Sequence, residues 1–108
     1  MLSIDSTLIR DSLVLKLKGR IDANSARALE SYCQERLNEG TTKLVMDFQT
    51  VDFISSAGLR VILLVAKRLE PMEGSVKLAC LNSSLRDVFE ISGFSKLFVL
   101  SATVDEAL

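Results

Sequence analysis

Residues 44–71, LVMDFQTVDFISSAGLRVILLVAKRLEP, combine two kinds of regular structure in one stretch. Residues 44–48 are almost continuously apolar, which is typical of a central β-strand covered on both faces. Residues 57–69 carry apolar side chains at helical spacing, and Pro71 follows where such a helix should end. A buried strand that passes directly into a helix favours an α/β fold with parallel strands.

The same alternation continues on both sides of this stretch. The predicted strands are residues 2–9, 13–18, 44–48, 76–81 and 97–100, and the predicted helices are residues 25–37, 57–69 and 85–92, with a last helical turn from Thr103. Asp11-Ser12 would form the turn of an N-terminal hairpin, and Gly19 would stop the second strand. We therefore predict one α/β domain over residues 1–108, with a mixed, mainly parallel sheet of four to five strands and about four helices.

Polar side chains at the starts of the helices are candidate N-caps, because their oxygens can accept the unpaired N–H groups of the first turn. The candidates are Asn24 or Ser25, Ser55 or Ser56, and Ser84 with Asp87 as a capping box.

The composition excludes several functional classes. The chain has no histidine, so it cannot build a Ser-His-Asp or Cys-His catalytic group or a zinc site that needs imidazole. No glycine-rich phosphate-binding motif is present. Thirteen basic and fourteen acidic residues give a net charge of −1, which indicates neither nucleic acid nor an anionic membrane as partner. We expect a cytoplasmic protein without membrane insertion, metal or cofactor, and not an enzyme.

The two cysteines, Cys33 and Cys80, lie far apart and each falls on an apolar stripe. Free cysteine is among the most buried residue types, so we expect two buried thiols, with a single disulfide as the alternative.

The serine pair Ser55-Ser56 lies where the central strand passes into the following helix. In a parallel sheet this is the carboxyl edge, where open α/β folds place their sites. Either hydroxyl can serve simply as an N-cap. A phosphate on one of them would meet free N–H groups at the positive end of the helix dipole and add about two negative charges.

Helical spacing extends this candidate site along the helix. Ser56, Arg60, Leu64 and Lys67 fall on one angular stripe, opposite the apolar side. If that side packs on the sheet, Leu64 is exposed between two cations. The stripe is either a surface that docks a partner or an ordinary surface with one exposed leucine.

Three fragments of the sequence resemble the STAS domain family, which includes bacterial anti-sigma factor antagonists and their relatives in sulfate transporters. The fragments are Gly19-Arg20-Ile21-Asp22, the segment from Asp47-Phe48 to Ser55-Ser56-Ala57-Gly58-Leu59, and Leu97-Phe98 followed by Glu106-Ala107-Leu108. They occur in family-like order and spacing over nearly the whole chain.

The resemblance implies specific site residues. In the antagonists, one Ser or Thr two residues before the glycine is phosphorylated, and this position is Ser56 here. Ser55 is a rival acceptor, since it stands where the family commonly has Asp, and Ala57 replaces a second hydroxyl. Asp22 and Asn24 would lie beside this loop, unless they only cap the first helix. The implied partner-binding residues are Asp22, Asn24, Ser55, Ser56, Ala57, Gly58, Arg60, Leu64 and Lys67.

The resemblance also implies partner switching. The unphosphorylated protein would bind an anti-sigma factor that is also a serine kinase, and so release a sigma factor. Phosphorylation of Ser56 would end binding, and a phosphatase would reset the protein. The alternatives are an unphosphorylated docking subunit of a transporter ATPase or stress-signalling scaffold and, more remotely, a small nucleotide-binding protein.

Overall fold

The computed structural model describes all residues, 1–108, as alternating strands and helices. The strands are β1 (Leu2–Ile9), β2 (Ser12–Ile21), β3 (Lys43–Ile54), β4 (Ser75–Ala79) and β5 (Leu100–Ser101). The α-helices are α1 (Ala23–Asn38), α2 (Ser56–Leu69), α3 (Ser83–Ile91) and α4 (Val104–Ala107), with short 3-10 helices at Glu70–Met72 and Phe94–Lys96. One sheet of order β1-β2-β3-β4-β5 contains all five strands, so the predicted α/β fold is confirmed.

The sheet is mixed, and its topology places most helices on one face. β1 pairs antiparallel with β2 as the N-terminal hairpin, and every other pair is parallel. Because consecutive parallel strands are neighbours, right-handed crossovers place α1, α2 and α3 on the same face. A core of 23 buried residues fills the space beneath them. On the other face, α4 buries Ala107 against Val14, Val45 and Ala79.

Strand β3 continues well beyond the predicted residues 44–48, to Ile54, and it contains two bulges. The pairs Lys16↔Asp47, Lys18↔Thr50 and Arg20↔Phe53 show that β3 gains one residue on β2 at each step. β3 therefore buries Phe48, Val51 and Ile54, which are three residues apart rather than two. Bulges of this kind bend a strand and redirect its side chains.

The prediction that Gly19 stops the second strand is wrong. β2 runs through this glycine to Ile21, with Gly19 at a φ of +116° that L side chains rarely adopt. A Cβ at this position would lie 2.1 Å from the carbonyl oxygen of Met1. Gly19 therefore allows the first residue of the chain to lie against β2.

Other local predictions also need correction. The hairpin turn is at Arg10–Asp11, and Ser12 already belongs to β2. Asn82 caps α3 through a bond from the N–H of Leu85, so Ser84 and Asp87 form no capping box. Residues 97–100 are not a buried strand: Leu97 and Val99 are 62% and 57% exposed, and β5 contains only Leu100–Ser101.

Both cysteines are free, and they lie on opposite faces of the sheet. Cys33 is buried in the main core, and burial raises the pKa of its thiol to about 12. Cys80 is only half-buried, so the expectation of two buried thiols holds for Cys33 alone. No helix has both the length and the apolar character required to span a bilayer.

Candidate functional site at the carboxyl edge of the sheet

Two strand-to-helix junctions lie side by side at one edge of the sheet. β2 ends at Ile21 and β3 ends at Ile54, and these residues are cross-strand partners. The N–H of Ser55 donates to the carbonyl of Ile21 at 2.8 Å, so the two chains are still joined as they leave the sheet. α1 and α2 begin immediately afterwards, and the positive ends of both helix dipoles face the same edge.

Asp22 caps α1. Its Oδ1 accepts the N–H groups of Ser25 at 2.9 Å and Asn24 at 3.1 Å, while the Ser25 hydroxyl accepts the N–H of Asp22. These hydrogen bonds, with those from Ser25 the strongest, hold the pKa of the carboxyl below its ordinary value. Asp22 is thus the N-cap, which confirms the alternative role given for this residue, whereas Asn24 and Ser25 are not the N-cap and Asn24 is exposed beside it.

The two serines of the junction have different roles. Ser55 is the N-cap of α2, and its hydroxyl accepts the N–H of Gly58 at 3.3 Å. Ser56 is the first residue of the helix, it is exposed, and its hydroxyl forms no hydrogen bond within the protein. Of the two rival acceptors, only Ser56 offers a hydroxyl that is both at the surface and free of a structural role.

Gly58 determines how closely α2 approaches the sheet. It is buried, and a Cβ there would lie 2.7 Å from Cγ2 of Ile21 and 2.8 Å from Cγ1 of Ile54. A side chain at this position would push the start of α2 away from the ends of β2 and β3. Gly58 therefore lies beneath the predicted partner surface, and its contribution is to position Ser55 and Ser56.

The predicted stripe on α2 faces solvent along its whole length, since Ser56, Arg60, Leu64 and Lys67 are all exposed. Leu64 is 41% exposed. A groove of about 260 Å³ runs between this stripe and α1. The groove is lined by Ala57, Arg60, Val61 and Leu64 from α2 and by Ala23, Ala26, Arg27 and Glu30 from α1.

Sequence reasoning missed the contribution of α1 to this surface. Arg27 and Glu30 stand on the polar side of the α1 helical pattern, which identifies them as outward-facing. The pattern of one helix does not say which neighbour its polar side adjoins. The packing of α1 against α2 brings these two residues opposite Arg60 and Leu64.

Comparison with known proteins identifies relatives of this chain over most of its length. A family model, STAS domain, matches residues 3–107. The chain is 39% identical over 95 residues to BtrV of Bordetella bronchiseptica, provisionally named an anti-sigma factor antagonist, with 88% of this chain and 82% of BtrV covered. It is 34% identical over 97 residues to the anti-sigma-F factor antagonist RsfB of Mycobacterium tuberculosis, with 88% and 77% covered.

Solved structures show the same fold. An anti-sigma factor antagonist from Mycobacterium paratuberculosis superposes with a TM-score of 0.90 at 24% identity, over 99% of this chain and 91% of that chain. The Bacillus cell fate determinant SpoIIAA, solved in its phosphorylated form, superposes with a TM-score of 0.75 at 23% identity, over 97% and 96%. The match of the family model over residues 3–107, the identity to BtrV and RsfB, and these superpositions agree: the chain belongs to the STAS domain family.

Proposed function

We propose that this protein is an anti-sigma factor antagonist that works by partner switching. In its unphosphorylated form it binds an anti-sigma factor with serine kinase activity, and a sigma factor is released. Phosphorylation of Ser56 ends this binding, and a phosphatase restores it. The protein is then a ligand and a kinase substrate rather than an enzyme. The names of BtrV and RsfB support the antagonist role, and the phosphorylated form of SpoIIAA supports a phosphate on this fold.

The observation that carries the proposal is the difference between the two serines. The Ser55 hydroxyl is engaged by Gly58, whereas the Ser56 hydroxyl is exposed at the first position of α2. A kinase can reach Ser56 without unwinding the helix. Modification of Ser55 would instead remove the cap, which is typically worth about 1 kcal/mol.

A phosphate on Ser56 is expected to leave the fold intact. Negative charge at the first turn of a helix is favourable by about 0.3–1 kcal/mol, because it meets the positive end of the dipole. The switch must therefore act on binding. A phosphoserine adds about −1.5 to −2 charge beside Asp22, and like charge at an interface, with the desolvation of a dianion, costs several kcal/mol.

The docking surface comprises the exposed and half-buried groups of this edge and of the α2 stripe: Asp22, Asn24, Ser55, Ser56, Ala57, Arg60, Leu64 and Lys67, with Gly58 beneath them. It combines a carboxylate at one end, two cations along α2 and the exposed Leu64 between them. Mixed charge around an apolar centre is typical of a protein-binding surface. We assign the anti-sigma factor to it.

The second candidate function is that of a permanently docked STAS subunit. The presence of serine at position 55 favours this function. Antagonists commonly carry an acid where Ser55 stands, and its replacement is consistent with a protein that no kinase modifies. On that hypothesis the same docking surface binds a transporter ATPase or a signalling scaffold without regulation at Ser56.

Intact-mass measurement with phosphosite mapping tests the proposal. The protein is purified from its native host, once in growth and once under stress. One phosphate on Ser56, with an occupancy that differs between the two conditions, is the expected result. A phosphate on Ser55 would contradict the assignment of the acceptor. Complete absence of phosphate in both conditions would reject switching in favour of permanent docking.

A further inference from the structure

The sheet has a second face that α4 covers only in part. Along β2, Leu15, Leu17 and Ile21 point into the main core, so Lys16, Lys18 and Arg20 project from the opposite face. α4 has only four residues, and it packs on Val14 and Val45, near the starts of β2 and β3, and on Ala79 at the end of the shorter β4. The carboxyl half of this face is therefore left to solvent.

An uncovered face is unusual for parallel strands. Parallel sheets normally have both faces covered, whereas antiparallel sheets often leave one face in water. β2 and β3 are a parallel pair, and yet Lys16, Lys18, Arg20 and Phe53 are all exposed on their outer side. We call these four residues the open face.

The open face also holds an exposed aromatic ring. Phe53 is 37% exposed, and the guanidinium of its cross-strand partner Arg20 lies 4.4 Å from the centre of its ring. The second bulge of β3 is at Asp52, which has no partner on β2. This bulge places Phe53, rather than Asp52, opposite Arg20. Stacking on Arg20 stabilises the ring at the surface, where it offers an apolar contact beside a cation.

The cations of the open face form an unpaired row. Residues two apart on a strand are separated by about 7 Å, so Lys16, Lys18 and Arg20 present positive charge at regular intervals. None of the three has an ion-pair partner within 4.0 Å; the ion pairs of the protein involve Arg36 and Lys43. Lys16 forms no ion pair even though its cross-strand partners, Asp5 on β1 and Asp47 on β3, are both acidic.

We propose that the open face binds an extended, acidic segment of a protein partner. A segment with an acid at every second position would match the row of cations, and an apolar residue between the acids would contact Phe53. The net charge of −1 and the nearby Asp5 and Asp52 disfavour a uniformly charged polyanion such as nucleic acid or a lipid surface. The inference does not depend on phosphorylation, and the open face shares no residue with the docking surface.

The test uses a short synthetic peptide with glutamate at alternate positions and valine or leucine between, and the same peptide with glutamine for glutamate. The ¹⁵N-labelled full chain is titrated with each at low ionic strength, and amide shifts are recorded. We expect the acidic peptide to shift the signals of Lys16, Lys18, Arg20 and Phe53, and the glutamine peptide to leave them in place. Binding should weaken as salt rises, because exposed charges are screened.

Two double variants distinguish binding by the open face from a general effect of the protein's net charge. Lys16→Gln/Lys18→Gln is expected to weaken peptide binding by about twofold to thirtyfold, the range for two exposed ion pairs. Arg86→Gln/Lys96→Gln changes the net charge equally on the helical side of the sheet and should bind as the parent does. Circular dichroism confirms that both variants fold.

Three results would overturn the inference. The first is a shift pattern centred on another surface, and the second is equal loss of binding in the two double variants. The third is tighter binding of oligothymidine or phosphatidylglycerol vesicles than of the acidic peptide, which would assign the open face to a different class of partner.

Discussion

Replacement of Gly58 by alanine tests how the site is positioned. The added Cβ would lie 2.7 Å from Cγ2 of Ile21 and 2.8 Å from Cγ1 of Ile54, distances that real Cβ atoms essentially never show. Overpacking of this kind costs about 1–3 kcal/mol. Alanine regains at most about 1 kcal/mol of helix propensity, and less in the first turn. We therefore expect Gly58→Ala to lose about 1–2 kcal/mol of unfolding free energy overall.

Urea denaturation and thermal melting measure this loss, and each kcal/mol corresponds to about 4–8 °C for a domain near this size. Ile21→Ala provides the matched background, since it removes one of the two close contacts. Gly58→Ala should cost less in that background than in the parent, with a coupling of about 0.5–1 kcal/mol. A Gly58→Ala variant as stable as the parent, or additivity in the double variant, would refute the close-approach argument.

Other predictions concern the serine, the capping carboxylate and the thiols. Ser56→Asp should abolish binding to the anti-sigma factor in calorimetry while Ser56→Ala still binds and resists switching, and normal binding by the aspartate variant would reject the switch. Because the pKa of Asp22 is lowered in the fold, its stabilising contribution is complete well above 3.8 and disappears as the pH falls through the folded value. The stability difference between the parent and Asp22→Asn should therefore shrink in acid, and a constant difference across the acid titration would contradict this. Iodoacetamide should alkylate half-buried Cys80 before Cys33, whose buried thiol has a pKa of about 12; mass spectrometry of the native protein checks the order.

Helices and strands were predictable wherever their apolar residues keep one regular spacing. In α1, helical spacing selects Ala26, Leu29, Cys33 and Leu37, and these are the four buried residues of that helix. In β2, alternation places Leu15 and Leu17 in the core and Lys16 outside. Both results follow because only one face is buried along α1 and along the part of β2 that follows Val14, which leaves a clear period in the sequence.

Prediction from the sequence failed where the spacing of buried residues changes within one strand or helix. The second half of β3 buries Phe48, Val51 and Ile54 at steps of three, which break the alternation that identifies a strand. The steps arise from bulges, and a bulge is defined by the pairing with β2 rather than by residues of β3 alone. Near the C-terminus, apolar content predicted a buried strand, although Leu97 and Val99 face solvent.

The choice between Ser55 and Ser56 shows how the sheet sets the chemistry of the site. Both residues are equally good N-caps in sequence. The N–H of Ser55 is held by the carbonyl of Ile21, which keeps Ser55 in an extended conformation with φ −89° and ψ 171°. Its own carbonyl accepts the N–H of Leu59 at 3.1 Å, the first bond of α2, so the helix must begin at the next residue. A hydrogen bond to the neighbouring strand thus makes Ser55 the cap and leaves Ser56 as the exposed hydroxyl, and a local pattern contains no information on that bond.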